Sequence, residues 1–101
     1  MVQYILQRTD KNGRKLYRTS HGSTKQKIWA KLDENHIRVE NSKKAFSHAL
    51  KVWRKEKDGR KYKVIPIVKI IAYWDMELFK SEKSALKYYN ECLEKLKTFF
   101  L

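Results

Sequence analysis

The tetrapeptide Lys11-Asn12-Gly13-Arg14 constrains this chain more than any other feature. Before it, Val2, Tyr4 and Leu6 alternate with Gln3 and Gln7, and after it runs the β-rich stretch Lys15-Leu16-Tyr17-Arg18-Thr19-Ser20. An Asn-Gly pair between two such runs predicts a hairpin closed by a type I′ turn, because both central residues of that turn need positive φ. The chain therefore starts as strand, tight turn and strand. A loop at His21-Gly22-Ser23-Thr24 follows. Residues Lys27 to Leu32 and His36 to Glu40 then read as a second, weaker pair of strands around Asp33-Glu34-Asn35, extending an antiparallel meander.

Past residue 40 the periodicity changes. From Asn41 to Glu56, with Ser42 or Asn41 as cap, a step of 100° per residue gathers Ala45, Phe46, Ala49, Leu50, Val52 and Trp53 on one arc. Lys43, Lys44, Lys51, Arg54 and Lys55 fall on the opposite third, so the segment predicts a helix with a core face and a basic stripe. Asp58-Gly59 ends it. Lys61 to Ile71 reads as a strand with apolar residues on both sides, in which Pro66, lacking the ladder donor, is expected at a sheet edge. Ser81 to about Phe99 reads as a second amphipathic helix, with Ala85, Leu86, Tyr88, Tyr89, Cys92, Leu93, Leu96, Phe99 and Phe100 on its apolar side. Lys87, Glu91 and Lys95, spaced by four, can pair along its surface. Ser42-Lys43-Lys44-Ala45-Phe46 and Ser81-Glu82-Lys83-Ser84-Ala85-Leu86 echo each other as helix openings, thin support for a duplication. With 101 residues there is room for one core, so the expectation is a single α+β domain over 1–101. Its order is β-hairpin, β-β, α, β, α, with an antiparallel sheet of four or five strands and two amphipathic helices.

Charge is the chain's loudest compositional signal. Twenty-four Lys+Arg against 11 Asp+Glu give a net charge of +13, yet 42% of residues are hydrophobic and 13% aromatic, which argues for a folded protein over a disordered basic tail. Residues 1–63 hold 18 basic and 6 acidic side chains, a net +12, whereas residues 64–101 are near neutral at +1. A uniform lysine bias would not divide the chain this way. Lys outnumbers Arg by 18 to 6, and Lys suits diffuse electrostatic attachment better than bidentate base reading.

Several chemistries have no foothold. The three glycines, Gly13, Gly22 and Gly59, are isolated, so there is no phosphate-cradling loop. Cys92, His21, His36 and His48 show no metal-ligand spacing; Cys92 reads as a small core residue and His48 as a boundary residue of the first helix. Asp75 and Glu77, followed by Lys80, are the nearest candidates for a divalent-cation pair but match no nuclease signature. No catalytic residue, metal or cofactor is expected. A single cysteine and a start, MVQYILQRTD, without the features of a secretory leader point to a cytoplasmic setting. The apolar stretch from Val64 to Trp74, interrupted by Pro66 and Lys69, is too short to span a bilayer.

Two functional readings follow from the basic half. In the first, the chain is a non-catalytic module for nucleic acid, DNA or RNA. Arg8, Lys11, Arg14, Lys15, Arg18, Lys25 and Lys27 would contact phosphates from the hairpin side, and Lys43, Lys44, Lys51, Arg54 and Lys55 would form a second patch. Tyr4, Tyr17 or Trp29, if exposed, could stack on bases, although core packing accounts for them more simply. The β-then-helix order of residues 3–56, with Ser42-Lys43-Lys44-Ala45 opening the helix, resembles the three-stranded arm-binding domains of phage-type integrases, which implies a sheet entering the major groove. The second reading is an inhibitor docking on another protein or a nucleoprotein. Tyr4-Ile5-Leu6, the lone Trp29, the Ala45/Ala49 helix and Val64-Ile65-Pro66-Ile67 resemble the layout of small accessory proteins of phages and mobile elements of Gram-positive bacteria. That world includes inhibitors of host defence nucleases such as anti-CRISPR proteins, and the resemblance implies docking on an effector or its bound guide RNA. A Lys-rich surface that serves solubility alone is the plainest alternative to both.

Overall fold

In the computed structural model, residues 2–21, 28–32, 36–54, 59–69 and 76–100 are described, the last two for their backbone only. Five strands, β1 (Gln3–Thr9), β2 (Lys15–Arg18), β3 (Trp29–Ala30), β4 (Lys61–Lys69) and β5 (Met76–Leu78), form one sheet in the order β3-β2-β1-β4-β5. All four pairings are antiparallel. A 3-10 turn at Lys43–Phe46 leads into α1 (Ser47–Arg54), and α2 (Glu82–Phe100) closes the chain. The expected α+β domain is thus present, with Met76–Leu78 as a strand where sequence had suggested only a carboxylate pair.

The hairpin forms where Asn12-Gly13 placed it, with a different turn. Asp10 accepts from the Gly13 N–H and donates to the Arg14 carbonyl, both at 2.9 Å. Gly13 has φ +80°, and His36 is the one non-glycine of positive φ among the described residues, so Asn12 is not left-handed. This is a type I turn whose glycine takes the left-handed step, a three-residue loop in place of the type I′ turn. The second predicted hairpin is also corrected. Among the described residues of the first stretch, 28–32, Trp29–Ala30 is the strand, and it pairs with β2. β1 and β2 pair from Gln7↔Tyr17 to Thr9↔Lys15 and then part, and residues 36–40 enter the fork. There Ile37 bridges Thr19 and Glu40 bridges Tyr4. Unpaired backbone at the fork makes a better partner for this short segment than a two-residue strand would.

Pro66 lies in β4, between β1 and β5, and so not at an edge. Two local facts let an interior strand carry it. Opposite Pro66, Tyr4 turns its N–H and C=O toward Glu40, at 2.8 and 2.9 Å, and needs no donor from β4. On the other side the β5 ladder ends at Phe79, whose N–H donates to the Pro66 carbonyl at 3.0 Å. β4 is described to Lys69; residues 70 and 71 of the predicted strand lie outside the described residues.

Strand alternation and register divide the sheet into two faces. One carries Ile5, Tyr17, Ala30, Ile65, Ile67 and Met76, buried together with Ile37 beneath Leu32 and Val39. The other carries Tyr4, Leu6, Arg8, Tyr62, Pro66 and Val68, and both helices pack on it. Lys43 sits 6.0 Å from the Tyr4 ring, Arg54 donates to the Tyr62 carbonyl at 3.2 Å, and α2 packs on β4. Ser42 caps the 3-10 turn through its hydroxyl and the Lys44 N–H. Ser81 does the same for α2, accepting from the Ser84 N–H at 3.3 Å.

Neither helix buries the whole face its periodicity outlined. Phe46 is fully buried, but no α1 residue is; Ala45 is exposed and Val52 is 46% exposed, because eight residues of helix cover too little sheet. Among the described side chains of α2 the buried residue is Ala85, whereas Leu86, Leu93 and Leu96 are exposed. The ion pair along α2 is Glu94–Lys97 at 3.6 Å, not the expected 87-91-95 series. Among the described residues, no helix is long and apolar enough to cross a membrane.

Candidate nucleic-acid interface

The basic residues picked out from sequence divide into those the fold has engaged and those it leaves in solvent. Arg8 is engaged: its side chain is 11% exposed, pairs with Asp10 at 3.2 Å and stacks its guanidinium 4.8 Å from the Trp29 ring. Asp10 is shared with Arg60 at 3.7 Å. Arg18 is engaged with backbone, donating to the carbonyls of Thr19 and His21 at 2.8 and 2.9 Å and more weakly to Ile28 at 3.4 Å. Burial, and then the neighbouring Arg38 guanidinium, lower the Arg18 pKa. A guanidinium stays charged near neutrality regardless, so its role is to hold the 18–21 turn against β3. Lys43 pairs with Glu82 and ties the 3-10 turn to α2; this hydrogen bond raises the Lys43 pKa. Arg54 reaches the β4 backbone as described above.

The remaining sequence candidates sit in two places. Lys11, Arg14 and Lys15 are exposed at the hairpin end. The Lys11 stem lies over Gly59, where an added Cβ would come within 2.4 Å of its side chain, so the hairpin tip is braced against the entry to β4. Lys44 and Lys51 are exposed on the helix-bearing side. Lys25, Lys27 and Lys55 lie outside the described residues, as does Asp75.

On the face opposite the helices, register collects lysines that the sequence had not singled out. Thr9 pairs with Lys15 on one side and Lys61 on the other, a row across β2, β1 and β4. Gln7 likewise sits between Tyr17 and Lys63, and its side-chain amide donates to the Tyr17 hydroxyl at 3.0 Å. Lys61 and Lys63 point the same way, about 7 Å apart along the strand. Lys15, Lys63 and Lys80 rim a concavity of about 330 Å³ floored by Gln7, Ile65 and Leu78. None of the described acidic side chains belongs to this face. Asp10 is held by Arg8, Glu40 stands opposite Tyr4, Glu77 opposite Val68, and Glu82 joins Lys43, all on the helix-bearing side. The Lys61-Tyr62-Lys63 alternation, with Tyr62 buried between exposed lysines, was the signal that could have found them.

A second groove of about 360 Å³ lies beside α1, between Arg18 and Arg38 on one wall and Ala49, Val52 and Trp53 on the other. Arg38 is itself occupied by Glu40 at 2.8 Å and lies 4.9 Å from the Phe46 ring. Among the described residues, no three His, Cys, Asp or Glu side chains gather as a metal site.

The division makes a direct prediction. Arg18→Ala leaves half-buried carbonyls without their donor and is expected to lower stability by about 1–2 kcal/mol, whereas Arg14→Glu at the exposed turn is expected to change it by less than about 0.5 kcal/mol. Urea unfolding of the two variants measures this, and equal effects would show that Arg18 is not the brace described. Comparison of the chain with family models, curated proteins and solved structures finds no match.

Proposed function

We propose that this chain is a non-catalytic module that engages nucleic acid electrostatically, through the lysine-bearing sheet face, in the manner of a phage or mobile-element accessory protein. The observation that carries this reading is the placement of Lys15, Lys61, Lys63 and Lys80 on one face with no described carboxylate among them. A row of mutually repelling ammoniums contributes nothing to the fold. It is useful if an anion fills the space between the lysines, and a polyanion fills several such positions at once. Lysine point charges on a face with a partly apolar floor hold phosphates without reading bases, so binding is expected to be tolerant of sequence.

Four phosphate contacts imply a slope of log K against log salt of about −3.6 on duplex, or a loss of about a hundredfold between 50 and 200 mM salt. Fluorescence anisotropy with a labelled duplex and a labelled single strand across a salt series measures the slope. No binding to duplex, single-stranded DNA or RNA at low salt would end this reading.

The α1 groove supports a second reading, an inhibitor docked on a defence nuclease or its nucleoprotein. Val52 is exposed beside two guanidiniums, a surface suited to an acidic protein face. Capture of one stoichiometric protein partner from nuclease-treated host lysate, lost on Val52→Glu, would favour it.

A further inference from the structure

α2 carries a stripe of apolar side chains that the fold leaves in water. Leu86, Leu93 and Leu96 are 52%, 37% and 49% exposed, and half-buried Tyr89 lies on the same line. The intervals of three, four and three residues are those of the a and d positions of a two-helix seam. The stripe lies about a quarter-turn around the helix from the row through which α2 meets its own domain, Ala85, Tyr88 and Cys92; Ala85 is fully buried and Tyr88 packs on Phe79 at 5.2 Å. Past Tyr89 every residue to Thr98 is exposed except half-buried Cys92. So short a helical extension without a packed face is marginal in water, which points to an occupant for the stripe.

Charge identifies the occupant. α2 holds four Lys and three Glu, a net +1, leaving +12 on the rest of the chain. Two copies of a +13 chain repel wherever their basic surfaces approach, and α2 is the long exposed element where that repulsion is smallest. An antiparallel pair of α2 helices also satisfies its own stripe. Setting Leu86 against Leu96 of the second copy places Tyr89 against Leu93 of the second copy, and the two-fold axis repeats both layers. A parallel pair would instead press the free flank of Lys83, Lys87 and Lys97 against the flank that the other copy uses on its own sheet. We propose that the chain forms a homodimer through an antiparallel α2 pair, with Leu86, Tyr89, Leu93 and Leu96 as its seam. The dimer would carry two lysine faces, so that a polyanion reaching both is held at two points.

Sedimentation equilibrium on the full chain, from about 5 to about 300 µM in about 0.15 M salt, is expected to give a dimer mass and a thermal midpoint that rises with concentration. Leu93→Glu is expected to weaken association by at least about thirtyfold, and because Leu93 is exposed in the protomer its circular dichroism should match the parent's. A chain that stays monomeric across the range, or a Leu93→Glu variant that still dimerises, would overturn the proposal.

Discussion

Replacing Lys61 and Lys63 together by Glu is expected to weaken nucleic-acid binding by about a hundredfold or more at about 0.1 M salt and to reduce the salt slope by about 1.8, the share of two phosphate contacts. The size follows from the change of four charges at a surface meeting phosphates, each worth on the order of 1 kcal/mol before screening. Stability should hardly move. Both side chains are exposed, each stands opposite a neutral residue on β1, and removing like charges from the row with Lys15 relieves repulsion within the face. The informative control is Lys44→Glu with Lys51→Glu, which changes the net charge by the same amount on the helix-bearing side. It is expected to reduce affinity by less than about threefold, the effect of charge felt across the molecule through salt. Equal losses for the two double variants would mean that net charge alone draws the polyanion, and the face-specific reading would fall.

That control separates what was legible in the sequence from what was not. The hairpin was legible because Asn12-Gly13 and its flanking alternation are local, and the helix starts at Ser42 and Ser81 were legible for the same reason. The turn type was not. Gly13 alone supplies the left-handed step, and Asp10 at the first turn position stabilises a geometry in which Asn12 stays right-handed. Long-range pairing was hidden as well. Nothing near Pro66 in sequence says that Tyr4 will turn its backbone to Glu40 and release β4 from donating there. Arg8 and Arg18 looked equivalent to Lys11 and Lys15 in a count of charges, but their partners, Trp29, Asp10 and the carbonyls of the 18–21 turn, are set by tertiary contacts. Lys61 and Lys63 joined Lys15 only through the register of β1 with both neighbours, which a regional count of charges does not reveal.

Phe46→Ala is expected to destabilise the fold by about 3–5 kcal/mol, a large share of the 5–15 kcal/mol that holds a small domain together. Phe46 is the fully buried residue of the 3-10 turn that leads into α1, and α1 itself buries none, so this one ring carries most of the apolar attachment of the segment. Its loss removes the packing under the Arg38 guanidinium and leaves Trp53, in contact with Trp29 and Tyr62, as the main remaining anchor. The thermal midpoint should drop by at least about 12 °C. Val52→Ala, on the same helix but 46% exposed, should lower it by only a few degrees, since most of its side chain is already in water. The lysine face lies on the other side of the sheet, so the Phe46→Ala protein, held well below its lowered midpoint, is expected to bind nucleic acid within about twofold of the parent. Loss of binding from a variant that is still folded would place the helix side in the interface. A midpoint shift no larger than that of Val52→Ala would show that Phe46 is not what anchors α1.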